Sequence, residues 1–257
     1  MKQTAYYGFP LTDILIRLLL FIILILIIFE IIFLHISNYI IFLFGFFSIL
    51  LYIYIGIILF KKTFQNRRML YVKKMIEIAD LKGNETILDI GTGAGILAIS
   101  FAKLLKDGKV YGIDIYKHKY GSYKELFLNK ININFFGNTL KNAQKNAKIE
   151  SVEDKCKFIT ADISDKIDFP NNFFDIILSS TSLYCIPIKD YTETFQIIDK
   201  ILKKNGKIIF FEPKSFLKWD INTLKEGFEK MGYSIKLFKN VEFKIMCMLV
   251  GEKLKSE

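Results

Sequence analysis

The sequence predicts an α/β fold: a doubly wound, mostly parallel seven-stranded sheet with a C-terminal antiparallel hairpin, preceded by two membrane-spanning helices. Three observations carry this. Residues 11–60 are 80% apolar, whereas residues 61–257 are close to 45% apolar, the values of lipid-facing and ordinary globular sequence respectively. From Glu85 onward, short apolar segments alternate with segments of helical length, the pattern of βαβ units. At the end, two strand-like segments are separated only by Lys239-Asn-Val-Glu242, too short a link for a parallel crossover.

The N-terminal segments come first. Leu18 to Phe29 is an unbroken apolar run of 12, extended past Glu30 by Ile31 to Leu34, and Tyr39 to Phe60 is 22 residues without a formal charge. Crossing the hydrocarbon takes about 20 helical residues. The predicted spans are 14–34 and 39–60, with Arg17 snorkelling at one end and Glu30 near the opposite interface. No small-x-small cleavage site follows the first run, so a removed signal peptide does not fit. Lys2 and Arg17 precede the first span, and Lys61, Lys62, Arg67, Arg68, Lys73 and Lys74 follow the second. The His35-Ile-Ser-Asn38 turn has no Lys or Arg. The positive-inside rule then places both termini and the following domain in the cytoplasm. Residues 61–83 read as a basic juxtamembrane helix.

The formal charge of +10 falls entirely on residues 61–257. Beside a membrane segment, anionic headgroups explain that charge better than nucleic acid does. Cys156, Cys185 and Cys247 form no C-x-x-C pair, and only His35 and His118 could join them; this spacing excludes the usual zinc sites, and no metal is expected.

Residues 84–257 form the predicted catalytic domain. Thr86–Ile90 is the first strand, ending in the turn Gly91-Thr-Gly-Ala-Gly95. Ile96–Lys106 is a helix and Val110–Asp114 a second strand. Further strands are predicted at Lys157–Thr160, Phe174–Leu178 and Lys207–Phe211, with helices at Leu140–Lys148, Asp190–Lys204 and Leu217–Met231. Ser234–Phe238 and Phe243–Val250 form the terminal hairpin.

In such sheets a ligand binds beyond the carboxyl ends of the strands, where strand order reverses. The first loop there is Asp89-Ile-Gly-Thr-Gly-Ala-Gly95. A dinucleotide fold would show G-x-G-x-x-G aimed at pyrophosphate. Here the third glycine arrives one residue early and a carboxylate stands before the first. A fixed anion repels pyrophosphate but accepts hydrogen bonds from an ammonium group, which suits S-adenosylmethionine. Asp114 ends the second strand, placed for ribose hydroxyls, and Asp162 follows the third, placed for the adenine amino group.

The chain from Asn84 onward resembles class I S-adenosylmethionine-dependent methyltransferases. The matching segments, in family order, are Ile87-Leu-Asp-Ile-Gly-Thr-Gly-Ala-Gly-Ile96, Gly112-Ile-Asp114, Ala161-Asp-Ile163, Phe169-Pro-Asn-Asn-Phe-Phe-Asp-Ile-Ile-Leu178, Leu202-Lys-Lys-Asn-Gly206 and Met231-Gly-Tyr233. The resemblance implies cofactor contacts from Asp89, Gly91, Gly93, Gly95, Asp114, Ile115, Asp162, Ile163 and Ser179. It also implies an inserted antiparallel last strand. The 25 residues between Asp114 and Leu140 depart from the usual short connection. Their end, Gly137-Asn-Thr-Leu-Lys-Asn-Ala143, resembles a bacterial branch whose members often carry an N-terminal apolar region.

Methyl transfer from an activated sulfonium mainly needs a nucleophile held in line with water excluded, so no catalytic residue is required by the chemistry alone. Tyr184, near the predicted acceptor mouth, and His118, in the insertion, are the weak candidates. Ser179 to Ser182 stand where the acceptor approaches. Neither Asn-Pro-Pro-Tyr nor Asp-Pro-Pro-Tyr, the signatures of amide-nitrogen acceptors, is present. The expected acceptor is a small or lipid-like molecule at the cytoplasmic membrane face. The alternatives are a soluble or protein substrate for a merely anchored enzyme, and a non-catalytic module of a membrane complex.

Overall fold

The structure, a computed structural model, describes residues 39–116, 138–165, 167–187, 191–216, 219–239 and 245–254. The first predicted span, the His35–Asn38 turn, most of the long insertion and the link of the terminal hairpin lie outside these residues.

Tyr39–Ala79 is one unbroken helix of 41 residues (α1). No proline occurs between Pro10 and Pro170, so nothing in the sequence forces a break. The second predicted span and the predicted basic helix are therefore continuous. Among the described residues no helix is long and apolar enough to cross a membrane; the second segment is established as helix, not as a span.

The sheet domain follows as β1 (Thr86–Ile90), α2 (Ile96–Ala102), β2 (Lys109–Asp114), α3 (Leu140–Ile149), β3 (Cys156–Thr160), β4 (Phe174–Ser180), a 3₁₀ turn (Leu183–Cys185), α4 (Tyr191–Ile201), β5 (Leu202–Pro213), β6 (Ser215–Phe216), β7 (Trp219–Asp220), α5 (Ile221–Lys230), β8 (Tyr233–Lys239) and β9 (Met246–Lys253). The main sheet has seven strands in the order β3-β2-β1-β4-β5-β9-β8. Its first five are mutually parallel, and β9 runs antiparallel to both β5 and β8. The chain moves outward from β1 to β3 and then crosses back to β4, so order reverses between β1 and β4. Their carboxyl ends frame the crevice where this architecture binds ligands.

Successive strand residues face opposite layers. Ile87, Ile176, Leu178, Ile209, Phe211 and Met248 pack with Leu97 and Phe101 of α2. Leu88, Ile90, Ile177, Ile208, Phe210 and Leu249 pack on the other side with Phe195, Ile198, Leu224 and Phe228 of α4 and α5. Burial on both faces explains why these strands read as continuous apolar runs. The first layer also takes in Tyr71, Val72, Met75 and Ala79 from the end of α1, and the Tyr71 ring stacks on Phe211 at 4.2 Å. The domain's core thus begins upstream of residue 84.

Three helix boundaries in the sheet domain differ from the sequence expectation by more than one residue, each for a tertiary reason. The helix after the glycine turn ends at Ala102 rather than Lys106, because the Gly83 carbonyl accepts the amides of Lys106, Asp107 and Gly108. Helix α4 stops at Ile201 rather than Lys204, because Leu202 pairs with Phe174 in the sheet and is fully buried. Helix α5 starts at Ile221 rather than Leu217: Asp220 caps it by accepting from the Asn222 amide, while Trp219 Nε1 donates to the Pro213 carbonyl at 2.8 Å.

Candidate cofactor and acceptor site

The glycine loop is fixed by its neighbours before any ligand is considered. The amides of Gly91 and Thr92 both donate to the Ile113 carbonyl, at 2.8 and 3.0 Å, tying the turn to the end of β2. Gly91, Gly93 and Gly95 all adopt left-handed backbone, with φ of +70°, +54° and +88°, a region that side chains other than glycine's enter at a cost. At Gly91 the need is also steric. A Cβ there would overlap the Cβ and Oγ of Ser182, from the loop after β4. The β1 and β4 loops therefore touch through a glycine.

The three acids predicted for the cofactor occupy different environments. Asp89 is only 1% exposed, and its Oδ2 accepts from Thr92 Oγ1 at 2.7 Å and from the Ala98 amide at 3.1 Å. Burial pushes this carboxyl up to about 7, with Asp114 adding to the rise and the two donors opposing it. Asp114 is half-buried. Its Oδ2 accepts from the Gly93 amide at 2.9 Å and its Oδ1 from the Tyr116 amide at 2.8 Å, so the carboxylate clasps the turn to the end of β2. Asp162 Oδ1 accepts from the amide and hydroxyl of Ser164. Ile115 is half-buried and Ile163 buried, each following its acid. Tyr116, left-handed at φ +48°, has a buried hydroxyl with no hydrogen-bond partner. Burial and the charges of Asp114 and Asp89 push that hydroxyl up.

The far side of the crevice is built around a residue that the sequence reading missed. Glu212, near the carboxyl end of β5, is fully buried. Its Oε1 accepts from Ser179 Oγ at 2.8 Å, the Ser182 amide at 3.1 Å and the Leu183 amide at 3.2 Å. Its Oε2 is buried without a partner among the described residues. Ser182 Oγ in turn lies 2.8 Å from Ser179 Oγ and donates to the Ile90 carbonyl at 2.9 Å. One carboxylate thus holds the loop after β4 against the end of β1. Burial pushes Glu212 up to about 7 against the pull of its donors. The signal was present in Phe210-Phe-Glu-Pro213: a lone acid ending an apolar strand, as Asp89 and Asp114 end theirs.

Ser179, predicted to contact cofactor, is fully buried with its hydroxyl held by Glu212 and Ser182. Tyr184 lies in the 3₁₀ turn, half-buried, and His118 is outside the described residues. Among the described residues no group of three or more His, Cys, Asp or Glu is placed to hold a metal. A cavity of about 330 Å³ lies apart from the glycine loop, lined by Lys214, Ser215, Asp220, Ile221, Asn222, Leu237 and Cys247. The built polar network, not that cavity, marks the site.

Comparison with known proteins agrees with this architecture. The chain is similar to a release factor glutamine methyltransferase of Flavobacterium psychrophilum, at 36% identity over 109 residues, covering 42% of this chain and 30% of the relative. It is similar to another of that name from Lactococcus lactis, at 29% identity, covering 54% and 40%. The chain thus spans less than half the length of these relatives. Among solved structures, it shares its fold with a SAM-dependent methyltransferase from Aquifex aeolicus (TM-score 0.51, 16% identity, 70% of this chain and 88% of the other). The YcgJ protein of Bacillus subtilis (0.54, 13%, 72% and 98%) and the cyclase SpnF (0.55, 15%, 74% and 81%) share it too. The profile of a methyltransferase domain family matches residues 64–254. That match spans the end of α1, the glycine loop and the inserted β9, and the chain belongs to this methyltransferase family, whose cofactor is S-adenosylmethionine.

Proposed function

We propose that the protein transfers the methyl group of S-adenosylmethionine to a small or lipid-like acceptor at the cytoplasmic face of a membrane. The observation that carries the transfer is the clasp of Asp114 onto the Gly93 amide at 2.9 Å. It presents a glycine turn and a carboxylate at the point where strand order reverses. Asp89, Asp114 and Asp162 supply acceptors for the ammonium, ribose and adenine donors of such a cofactor, and the orphaned Tyr116 hydroxyl supplies a further polar contact. When bound, the cofactor supplies an already activated methyl group; the chain's own residues orient it and exclude water. A likeness to the cyclase SpnF is a reminder that fold alone does not assign chemistry. Calorimetry on the full chain tests the reading: S-adenosylhomocysteine binds and NADH does not. Binding of NADH without response to S-adenosylhomocysteine overturns it.

Asp114→Ala removes two fixed amide contacts and the ribose acceptor together. Hydrogen bonds to a charged group contribute about 1.5–3 kcal/mol each and are not additive, so S-adenosylhomocysteine affinity is expected to fall about tenfold or more while the far-ultraviolet spectrum stays unchanged. Unchanged affinity moves the ribose site elsewhere.

The choice of a small or lipid-like acceptor rests on two features. Ser179-Ser-Thr-Ser182 stands where the amide-nitrogen signature would be, which disfavours the glutamine acceptor named for the two relatives. The 22 uncharged residues Tyr39–Phe60 form one helix with the basic run that follows, which favours a membrane hairpin with the catalytic domain held near the bilayer. Reporter fusions at Lys2 and Glu257 are expected to give cytoplasmic signals, and a tag at Ser37 an external one. High salt is expected to leave the protein on membranes, since screening removes electrostatic attachment but not a spanning hairpin. Release by salt, or a cytoplasmic Ser37 tag, contradicts the hairpin. It also restores a protein acceptor, of the kind the two relatives' names state, as the leading reading.

A further inference from the structure

The cluster around Glu212 has the chemistry of a cation site. The carboxylate receives only neutral donors, a hydroxyl and backbone amides, those of Ser182 and Leu183 among them, and among the described residues its Oε2 receives none. No basic side chain is among the groups that draw its titration down. An ionised carboxylate sealed from water without a counter-charge is costly, so the cluster is incomplete as it stands.

Aromatic side chains lie near it: Tyr184 follows Leu183, whose amide donates to Glu212. The Glu212 charge acts on Tyr184 and Tyr191, contributing to the upward push on both hydroxyls after burial; for Tyr191 the push reaches about 12. Tyr191 is 6% exposed and meets Trp219 edge-on at 5.7 Å, and Trp219 is bonded to the carbonyl of Pro213, next to Glu212. Tyrosine and tryptophan faces attract cations, more strongly where water is absent. A carboxylate with a buried, unpartnered oxygen near such side chains, beside the Ser179–Ser182 wall, matches an alkylammonium group better than a neutral hydroxyl or an anion.

We propose that Glu212, Tyr184, Tyr191 and Trp219 form the methyl-acceptor subsite and that the acceptor is an alkylamine, with Glu212 taking its proton. This rests on the methyl-transfer reading above. The amine enters as an ammonium and pairs with Glu212 Oε2. One N–H proton passes to the carboxylate, leaving a neutral amine and a neutral acid. The nitrogen lone pair then forms the new N–C bond as the C–S bond breaks with its electrons on sulfur. The charge that was on sulfur ends on the methylated ammonium, so atoms and charge balance. A carboxyl held near 7 by burial is suited to accepting that proton at neutral pH.

An amine of this kind has two sources, a lipid headgroup or a soluble metabolite, and the probes separate them. The full chain in detergent is given methyl-labelled S-adenosylmethionine with phosphatidylethanolamine vesicles, with ethanolamine, or with phosphatidylglycerol vesicles as a hydroxyl-only probe. Label is expected in one or both amines and not in phosphatidylglycerol. Label in the vesicles alone names the headgroup as the source, and label in ethanolamine alone names the soluble amine. Glu212→Gln keeps an oxygen for Ser179 and the two amides but removes the charge. It is expected to lower amine methylation about 100-fold or more and to abolish calorimetric binding of the amine to the S-adenosylhomocysteine complex. Its S-adenosylhomocysteine affinity is expected to stay within about twofold of the parent's, and Tyr184→Leu serves as a second variant if the first does not fold. Binding of S-adenosylhomocysteine with no amine bound or methylated overturns the acceptor proposal alone. Equal amine binding by parent and Glu212→Gln overturns it as well. Failure to bind S-adenosylhomocysteine at all overturns the methyl-transfer reading instead.

Discussion

A chain that starts at residue 84 will not hold its fold, whereas one that starts at residue 64 will. The sheet begins at Thr86, so the shorter chain keeps every strand. What it loses is the cover that the end of α1 lays over one face: Val72 and Met75 are fully buried, Ala79 is 3% exposed, and Tyr71 at 5% stacks on Phe211. Fully burying a large apolar side chain is worth about 1.5–3 kcal/mol. Losing three such groups forfeits at most about 5–9 kcal/mol, comparable to the whole stability of a typical domain, about 5–15 kcal/mol. The stripped layer would also leave Phe211, Leu178 and Met248 without part of their cover, a patch that promotes association. Size-exclusion chromatography and thermal melting of the two fragments check this. The longer one should be monodisperse with a cooperative transition, and the shorter one aggregated or without a transition. Equal melting temperatures would show that α1 is dispensable to the core.

That result turns on what was legible in the sequence. The sheet was legible because strands buried on both faces leave apolar runs, such as Ile87-Leu-Asp-Ile90 and Phe174-Asp-Ile-Ile-Leu178, and because Asp89 and Asp114 interrupt such runs at their ends. The contribution of α1 was not. Tyr71, Val72, Met75 and Ala79 have the spacing of any amphipathic helix, and the spacing does not say which surface covers them. Their neighbouring lysines and arginines made a bilayer the nearer reading. Leu202 shows the same limit: as the continuation of Tyr191–Ile201 it reads as helix, yet pairing with Phe174 draws it into β5. Glu212 was hidden differently. Its partners Ser179, Ser182 and Leu183 come from β4 and the loop after it, about 30 residues away, and a hydrogen-bond network across strands leaves no local period. The glycine-loop side of the crevice was readable because one loop and two strand ends carry it. On the other side the segment Ser179–Tyr184 was readable as the stretch after β4, but the Glu212 carboxylate that holds it was not.

Gly91→Val is expected to be the most damaging single substitution in the site. Two effects combine there. The backbone is left-handed at φ +70°, which costs a residue with a Cβ about 1–2 kcal/mol, and more for a β-branched one. The added Cβ also falls on Ser182, and overpacking costs about 1–3 kcal/mol. Relief is expensive, because Ser182 cannot retreat without breaking its bonds to the Ile90 carbonyl, Ser179 and Glu212. Displacing it would uncover a buried carboxylate that depends on those donors. The total destabilisation is therefore expected at about 2–5 kcal/mol, read as a shift in the urea midpoint at unchanged slope. Gly93→Val separates loop geometry from this contact. It is also left-handed, at φ +54°, but its Cβ would meet the Asn138 side chain at 3.2 Å, a far milder approach than at Gly91. It should destabilise less than Gly91→Val while weakening S-adenosylhomocysteine binding as much or more, because its amide is the one Asp114 holds. Adding Ser182→Gly to Gly91→Val tests the cause directly. If the clash with Ser182 outweighs the backbone strain, the double variant recovers part of the lost stability, because the Ser182 Cβ and Oγ that the new side chain strikes are gone. If the losses of Gly91→Val and of Ser182→Gly alone simply add in the double variant, backbone strain alone accounts for the Gly91→Val loss, and the contact between the β1 and β4 loops is incidental.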